Sequence, residues 1–150
     1  MSNATHVTAY LCAQDAAAAL AFYKQAFAAT ERYRMTGDDG RVGRAEFTIG
    51  ETALFLSDEY PEMAVVSPKT LGGSPVAFVL EVADLDATWQ RALDAVAIVT
   101  RPIAEAPFGR GGWLVDPFGH RWNLMTSNPG FKPEELTSSD EGEWTTSKGG

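Results

Sequence analysis

"LVDPFGHRWNLM", residues 114–125, decides the fold. Its Asp-Pro entry and glycine exit are the chemistry of a tight turn. Proline presets φ, aspartate bonds back to nearby amides, and glycine takes the left-handed position. The alternation from Arg121 to Thr126 then reads as a returning strand. His120, just past the turn glycine, is one of two histidines in the chain. A ring N–H there can bond to backbone or water at the strand's start, and this structural role is preferred to a catalytic one.

Upstream the same punctuation recurs. Laying "LCAQDAAAALAFYKQAFAATE" (Leu11 to Glu31) over "LEVADLDATWQRALDAVAIVT" (Leu80 to Thr100), 69 residues on, superposes Leu11/Leu80, Asp15/Asp84, Ala18/Ala87, Ala26/Ala95 and Ala28/Ala97. Each half opens on a strand-like run, Val7 to Cys12 or Val76 to Val82, followed by an acid placed to cap a helix. Leu20, Tyr23 and Phe27 then recur at helical spacing in the first half, and Leu85, Trp89, Ala92, Leu93 and Val96 in the second. Three further strands follow each helix, at about 31–35, 42–49 and 52–57, and at about 98–102, 112–115 and 121–126.

The order β-α-β-β-β, twice, predicts an α+β fold of two modules in pseudo-symmetric repeat, about 5–58 and 74–127, joined by a linker at 59–73. Residues 1–128 are thus expected to form a single domain, and the polar stretch 129–150 a mobile tail. Trp144 in that tail is expected to be solvated, with a clasp on a partner subunit as the other reading.

Composition narrows the function classes. A chain of 150 residues with 45% apolar content can bury one core of ordinary size. Twelve basic against 20 acidic side chains give a net charge of -8, which repels phosphate backbones and anionic lipid, so neither nucleic acid nor membrane is an expected partner. The apolar run Ala16 to Ala21 is too short to span a bilayer and has no cationic leader, and a cytoplasmic location is expected. Cys12, the only cysteine, rules out an intrachain disulfide and a cysteine-based zinc cluster. No spacing argues for a Ser-His-Asp or Cys-His arrangement. "GRGG", residues 109–112, lacks the lysine and helix of a phosphate loop and reads as a flexible strand connection.

Paired β-α-β-β-β modules ending in "DPFGHRWNL" resemble the vicinal oxygen chelate superfamily, which includes glyoxalase I, extradiol dioxygenases and drug-binding proteins of the bleomycin-resistance type. The resemblance covers about residues 5–127 and rests on "YLCAQDAAAALAFYKQAFAATERYR", "SPVAFVLEVADLDATWQRALDA" and the Asp-Pro-Phe-Gly-His turn. It implies that the module sheets form an open funnel with helices on the convex face. Alternation would then turn Val7, Ala9 and Leu11, with Val76, Phe78 and Leu80, toward the helices. Thr8, Tyr10 and Cys12, with Ala77, Val79 and Glu81, would line the funnel. On the last strands Leu54 and Asn123 would point inward, and Phe55, Trp122 and Leu124 outward.

The resemblance also implies where a metal would sit, with one ligand on the first and last strand of each module. Those places are Thr8, Leu54, Ala77 and Asn123, and the 69-residue offset pairs Thr8 with Ala77 and Leu54 with Asn123. A hydroxyl, two alkyl groups and a carboxamide are poor donors for a divalent transition ion, so no metal or other cofactor is expected. A set drawn instead from His6, Glu46, Glu81 and His120 requires other strand registers.

Tyr10, Trp113 and Phe108 are the expected stacking surfaces for a planar ligand, with Thr8, Arg44, Glu46 and Asn123 as hydrogen-bonding groups. Trp113 and Phe108 read equally well as packing residues. Arg44 either pairs with Glu46, Glu81 or Glu51 or awaits an acidic or carbonyl-bearing ligand. The function implied is a non-catalytic small-molecule binding protein of the bleomycin-resistance type, sequestering a drug or natural product that is partly planar and aromatic. It would work as a homodimer with clefts between subunits. An acidic surface suits a cationic or neutral ligand, while Arg44 leaves room for a carboxylate or phenolate. The alternative within the resemblance is a metal-dependent lyase, isomerase or dioxygenase, with the cation as Lewis acid and a carboxylate as base.

Overall fold

The structure, a computed structural model, describes residues 3–135; Trp144 and the tail beyond 135 lie outside the described residues. The first module runs β1 (Tyr10–Ala13), α1 (Ala16–Phe27), β2 (Thr30–Thr36), β3 (Val42–Ile49) and β4 (Thr52–Asp58). After a single helical turn, α2 (Pro68–Leu71), the second runs β5 (Ala77–Glu81), α3 (Leu85–Asp94), β6 (Ile98–Ala106), β7 (Gly109–Val115) and β8 (Arg121–Ser127). The strands form two open four-stranded sheets of the same order, β1-β4-β3-β2 and β5-β8-β7-β6. In each, the first and last strands of the module pair in parallel and the rest antiparallel. The α+β repeat read from the sequence is therefore the architecture.

The helices start where the paired acids stand. Asp15 and Asp84 accept from the amides of Ala18 and Ala87 at 3.0 and 3.1 Å, satisfying donors of each first turn. Asp58 adds a bond from the Ala16 amide at 2.8 Å and also accepts from the Val42 amide at 2.6 Å. Helix α1 buries most of its circumference because it serves both sheets. Tyr23 stacks on Phe47 of β3 with ring centroids 5.3 Å apart, and Phe27 lies 4.8 Å from Trp122 of β8. Helix α3 is more ordinary, burying Leu85, Thr88 and Ala92 and leaving its other face polar.

Asp116 and His120, at the two ends of the β7–β8 turn, join the modules. The Asp116 carboxylate, 1% exposed, accepts from the Tyr23 hydroxyl at 2.6 Å and the Trp122 indole at 2.9 Å. It also accepts from the Phe118 and His120 amides at 2.9 and 3.0 Å. Four donors replace the water this charge gives up on burial. The His120 ring lies 2.9 Å, through Nε2, from the carbonyl of Cys12, and since a carbonyl only accepts, Nε2 carries the proton and donates. His120 thus ties the turn of the second module to β1 of the first.

Three expectations about strand extent are corrected. Strand β1 starts at Tyr10, and Val7 is 97% exposed and not packed on a helix. Its counterpart Val76 is likewise exposed, just ahead of β5. The pairing explains the first case: β4 reaches back only to the Ala9 carbonyl, which accepts from the Phe55 amide. Leu11, Ala9, Phe78 and Leu80 do pack on the core. The run "GRGG" is no flexible connection; it lies inside β7, and the β6–β7 turn is Pro107-Phe108. Glycine is required there by close approach: a Cβ on Gly112 would sit 2.7 Å from the Trp89 ring, which lies against the sheet.

Candidate functional site

Helices cover one face of each sheet and leave the other open. Strand β4 sorts its side chains accordingly, with Leu54 and Leu56 in the core and Phe55 on the open face beside Tyr10. This reverses the expected orientation of Leu54 and Phe55. In the first module Tyr10 pairs with Phe55, and in the second Val79 pairs with Asn123. Tyr10 precedes Val79 by 69 residues, whereas Phe55 precedes Asn123 by 68. A slip of one residue exchanges the faces of a strand, so Phe55, not Leu54, is the counterpart of Asn123.

The registers line up one row of residues across each open face. In the first sheet the row is Tyr10, Phe55, Glu46 and Tyr33; in the second it is Val79, Asn123, Trp113 and Arg101. Tyr10 and Phe55 meet edge to face with ring centroids 5.4 Å apart, and the Tyr10 hydroxyl donates to the Gly43 carbonyl. The Arg44 guanidinium lies 4.6 Å from the Phe55 ring and 5.5 Å from that of Tyr10. The hydroxyls of Tyr10 and Tyr33 beside it hold its pKa above the ordinary arginine value. Glu46 is not its partner: a bulge in β2 between Glu31 and Tyr33 brings Arg32 to Glu46 at 2.9 Å.

Beside Tyr10 the linker closes a cavity of about 580 Å³. Its floor is Tyr10, Leu11, Cys12, Gly43 and Ser57 of the first sheet, and its wall is Tyr60, Met63 and Val65. The wall is fixed from outside by Arg41, which stacks 3.9 Å from the Tyr60 ring and pairs with Asp39 and Glu62 at 2.7 and 2.8 Å. A largely apolar hollow of this volume is the size that takes a drug-like molecule. Burial, with the charges of Glu59 and Asp58 adding to it, pushes the Cys12 thiol up to about 11. Cys12 therefore lines the cavity as a protonated thiol at neutral pH.

Of the residues expected in the site, the structure brings together Tyr10, Arg44 and Glu46 on the first sheet. Trp113 and Asn123 meet on the second, where the Asn123 carboxamide donates to the Gly112 carbonyl at 2.9 Å. Thr8 lies ahead of β1 and is exposed. Phe108 stands apart in the β6–β7 turn, packed against Phe131 with ring centroids 6.1 Å apart. Sequence reasoning missed Phe55, Tyr33, the linker wall and two arginines, Arg101 and Arg121, that flank the Trp113 ring at 5.5 and 5.4 Å. Alternation of Leu54 and Leu56 was the available signal for Phe55; nothing local marks the others.

The fold family's metal position can be tested on its donors. With the register corrected, the four places hold the Thr8 hydroxyl, the Phe55 ring, the Ala77 methyl and the Asn123 carboxamide. These do not fit a divalent transition ion. Of the other candidates, His120 is committed to the Cys12 carbonyl and Glu46 to Arg32. Among the described residues no three His, Cys, Asp or Glu side chains converge as a metal would require.

Two β-α-β-β-β modules with open sheets, joined through an Asp-Pro-Phe-Gly-His turn, define a protein of the vicinal oxygen chelate class. The model of the Glyoxalase/Bleomycin resistance protein/Dioxygenase superfamily matches residues 4–124, and the chain belongs to that superfamily. It is 41% identical over 119 residues to Rv0887c of Mycobacterium tuberculosis H37Rv, covering 77% of this chain and 70% of that one. The Mycobacterium bovis protein Mb0911c is 41% identical over 77% of this chain and 78% of its own. In fold the chain is similar to the fosfomycin resistance protein FosX of Listeria monocytogenes (TM-score 0.64, 14% identity, 85% of this chain and 97% of that one). It is similar also to the Arabidopsis thaliana AT5G48480 product (TM-score 0.63, 25% identity, 81% and 98%). No helix among the described residues is long and apolar enough to cross a membrane.

Proposed function

We propose that the chain is a small-molecule binding protein of the bleomycin-resistance type, which sequesters a partly planar, aromatic ligand without a metal. The observation that carries this reading is the pairing of an aromatic surface, Tyr10 edge to face with Phe55, with an adjoining cavity of about 580 Å³. Rings offer a planar ligand contact area at low entropic cost, and the cavity offers it burial. The donor-poor metal position supports capture over activation of the ligand. Superfamily membership supports the scale and class of the ligand, though one fold hosts several chemistries.

A homodimer is part of the same proposal. The open faces leave Met35 and Val79 61% and 62% exposed, with Tyr10 beside them. A second copy laid over these faces would cover apolar surface and deepen the cleft. The test is a thermal-shift screen of chelator-treated protein against planar natural products and drugs, with sedimentation velocity for the dimer. A ligand at a hundred times its dissociation constant is expected to add about 2.7 kcal/mol to stability. A broad planar panel that shifts nothing, with activity appearing only on addition of a divalent metal, would overturn the proposal in favour of an enzyme.

A further inference from the structure

Arginine placement on the two open faces departs from the rest of the charge pattern. With 20 acidic against 12 basic side chains, carboxylates are not scarce. Arg32, Arg34, Arg41 and Arg110 each pair with one at 2.7 to 2.9 Å. Arg44, Arg101 and Arg121 form no ion pair with any described carboxylate. They lie against rings instead: Arg44 is 4.6 Å from Phe55, and Arg101 and Arg121 are 5.5 and 5.4 Å from Trp113. All these rings are on the faces that the helices leave open. Arg44 is the one beside the cavity, because Tyr10 both carries its guanidinium and lines the hollow.

Resting on the binding function proposed above, we infer that the ligand is an aromatic carboxylate, its ring against Tyr10 and Phe55 and its carboxylate on the Arg44 guanidinium. A guanidinium carries five N–H donors, so with the hydroxyls of Tyr10 and Tyr33 beside it and no carboxylate paired to it, Arg44 retains donors that a carboxylate can meet with two parallel bonds. Glu46, the acid in the same row, is already neutralised by Arg32 at 2.9 Å and so does not compete for Arg44. The net charge of -8 opposes any anion at long range. Salt confines that repulsion to about 8 Å at physiological ionic strength, which leaves the local cation in control. The chemistry recurs on the second sheet, where Trp113 stands between two arginines of the same kind.

The test is calorimetric titration of the full chain with three ligands of one shape, 2-naphthoate, 2-naphthamide and 2-naphthylmethylammonium. The carboxylate is expected to bind at least about tenfold tighter than the amide, and the ammonium most weakly. Arg44→Gln should bring the carboxylate down to about the level of the amide, with the amide affinity falling by a smaller factor because its carbonyl also accepts from the guanidinium. Arg44→Lys should restore only part of the preference, because a point charge lacks the planar fork. Arg44 is exposed, and an unchanged melting curve for the variants is the expected control. Equal binding of the three ligands, or a preference that survives Arg44→Gln, would overturn the carboxylate assignment and leave the binding function standing. Failure of all three to bind would count against the binding function itself and the assignment with it.

Discussion

The Tyr23 hydroxyl on α1 donates to Oδ2 of Asp116 across 2.6 Å, joining a helix of the first module to the β7–β8 turn of the second. The carboxylate is buried and has three further donors, so losing one leaves a partly satisfied charge. Tyr23→Phe is expected to cost about 1.5–3 kcal/mol in urea unfolding. Asp116→Ala should cost more, since it strands both the Tyr23 hydroxyl and the Trp122 indole.

The same bond has a pH signature. Burial, then the nearby Asp116 charge, raises the Tyr23 pKa well above its ordinary value of 10.0. The folded state keeps a proton that the unfolded chain releases, so this contribution is complete below about pH 10 and declines as pH rises further. Stability measured from pH 9 upward should fall less steeply in Tyr23→Phe than in the parent chain.

Gly112→Ala tests the contact between α3 and the second sheet. The added Cβ would lie 2.7 Å from the Trp89 ring and 3.0 Å from the Ile103 amide nitrogen, so the ring must move off the strand. A loss of about 1–3 kcal/mol is expected in thermal or urea unfolding.

Val96→Gly should act in the opposite sense. Val96 is exposed just past α3 with φ 66°, a left-handed conformation that a β-branched side chain resists. Glycine relieves that conflict at some entropic cost, and a net gain of about 1 kcal/mol is expected.

Cys12 reports on the cavity. With its thiol pushed up to about 11 from 9.0, its thiolate population near neutrality is about a hundredfold lower than that of an unperturbed thiol. Alkylation by iodoacetamide should be slower by a similar factor, and a ligand seated against Tyr10 should slow it further.

The repeat was legible because capping acids and apolar spacing are local features. Asp15 and Asp84 cap as their positions implied, and the strand order follows from the same punctuation. The site was less legible for reasons that particular residues display. A single offset of 69 residues relates Tyr10 to Val79, but 68 relates Phe55 to Asn123, and that difference exchanges the two faces of β4. The sequence marks Arg44 as needing a partner, yet only the bulge in β2 shows that Arg32 reaches Glu46 first. Tyr60, Met63 and Val65 carry no motif; a short 3₁₀ turn at Pro61–Met63 and the Tyr60 to Val65 bridge fold them against β1. The place of His120 just past the turn glycine implies a structural role, and the Cys12 carbonyl is the backbone group it serves.

Binding without metal on the Tyr10–Phe55 surface is tested most directly by titrating the best thermal-shift ligand into chelator-treated protein, parent and Phe55→Ala. The expected result is one site per protomer, an affinity unchanged by added nickel, zinc, manganese or iron, and a loss of at least about tenfold in Phe55→Ala. Binding that requires one of those ions, or that is indifferent to Phe55, would contradict it.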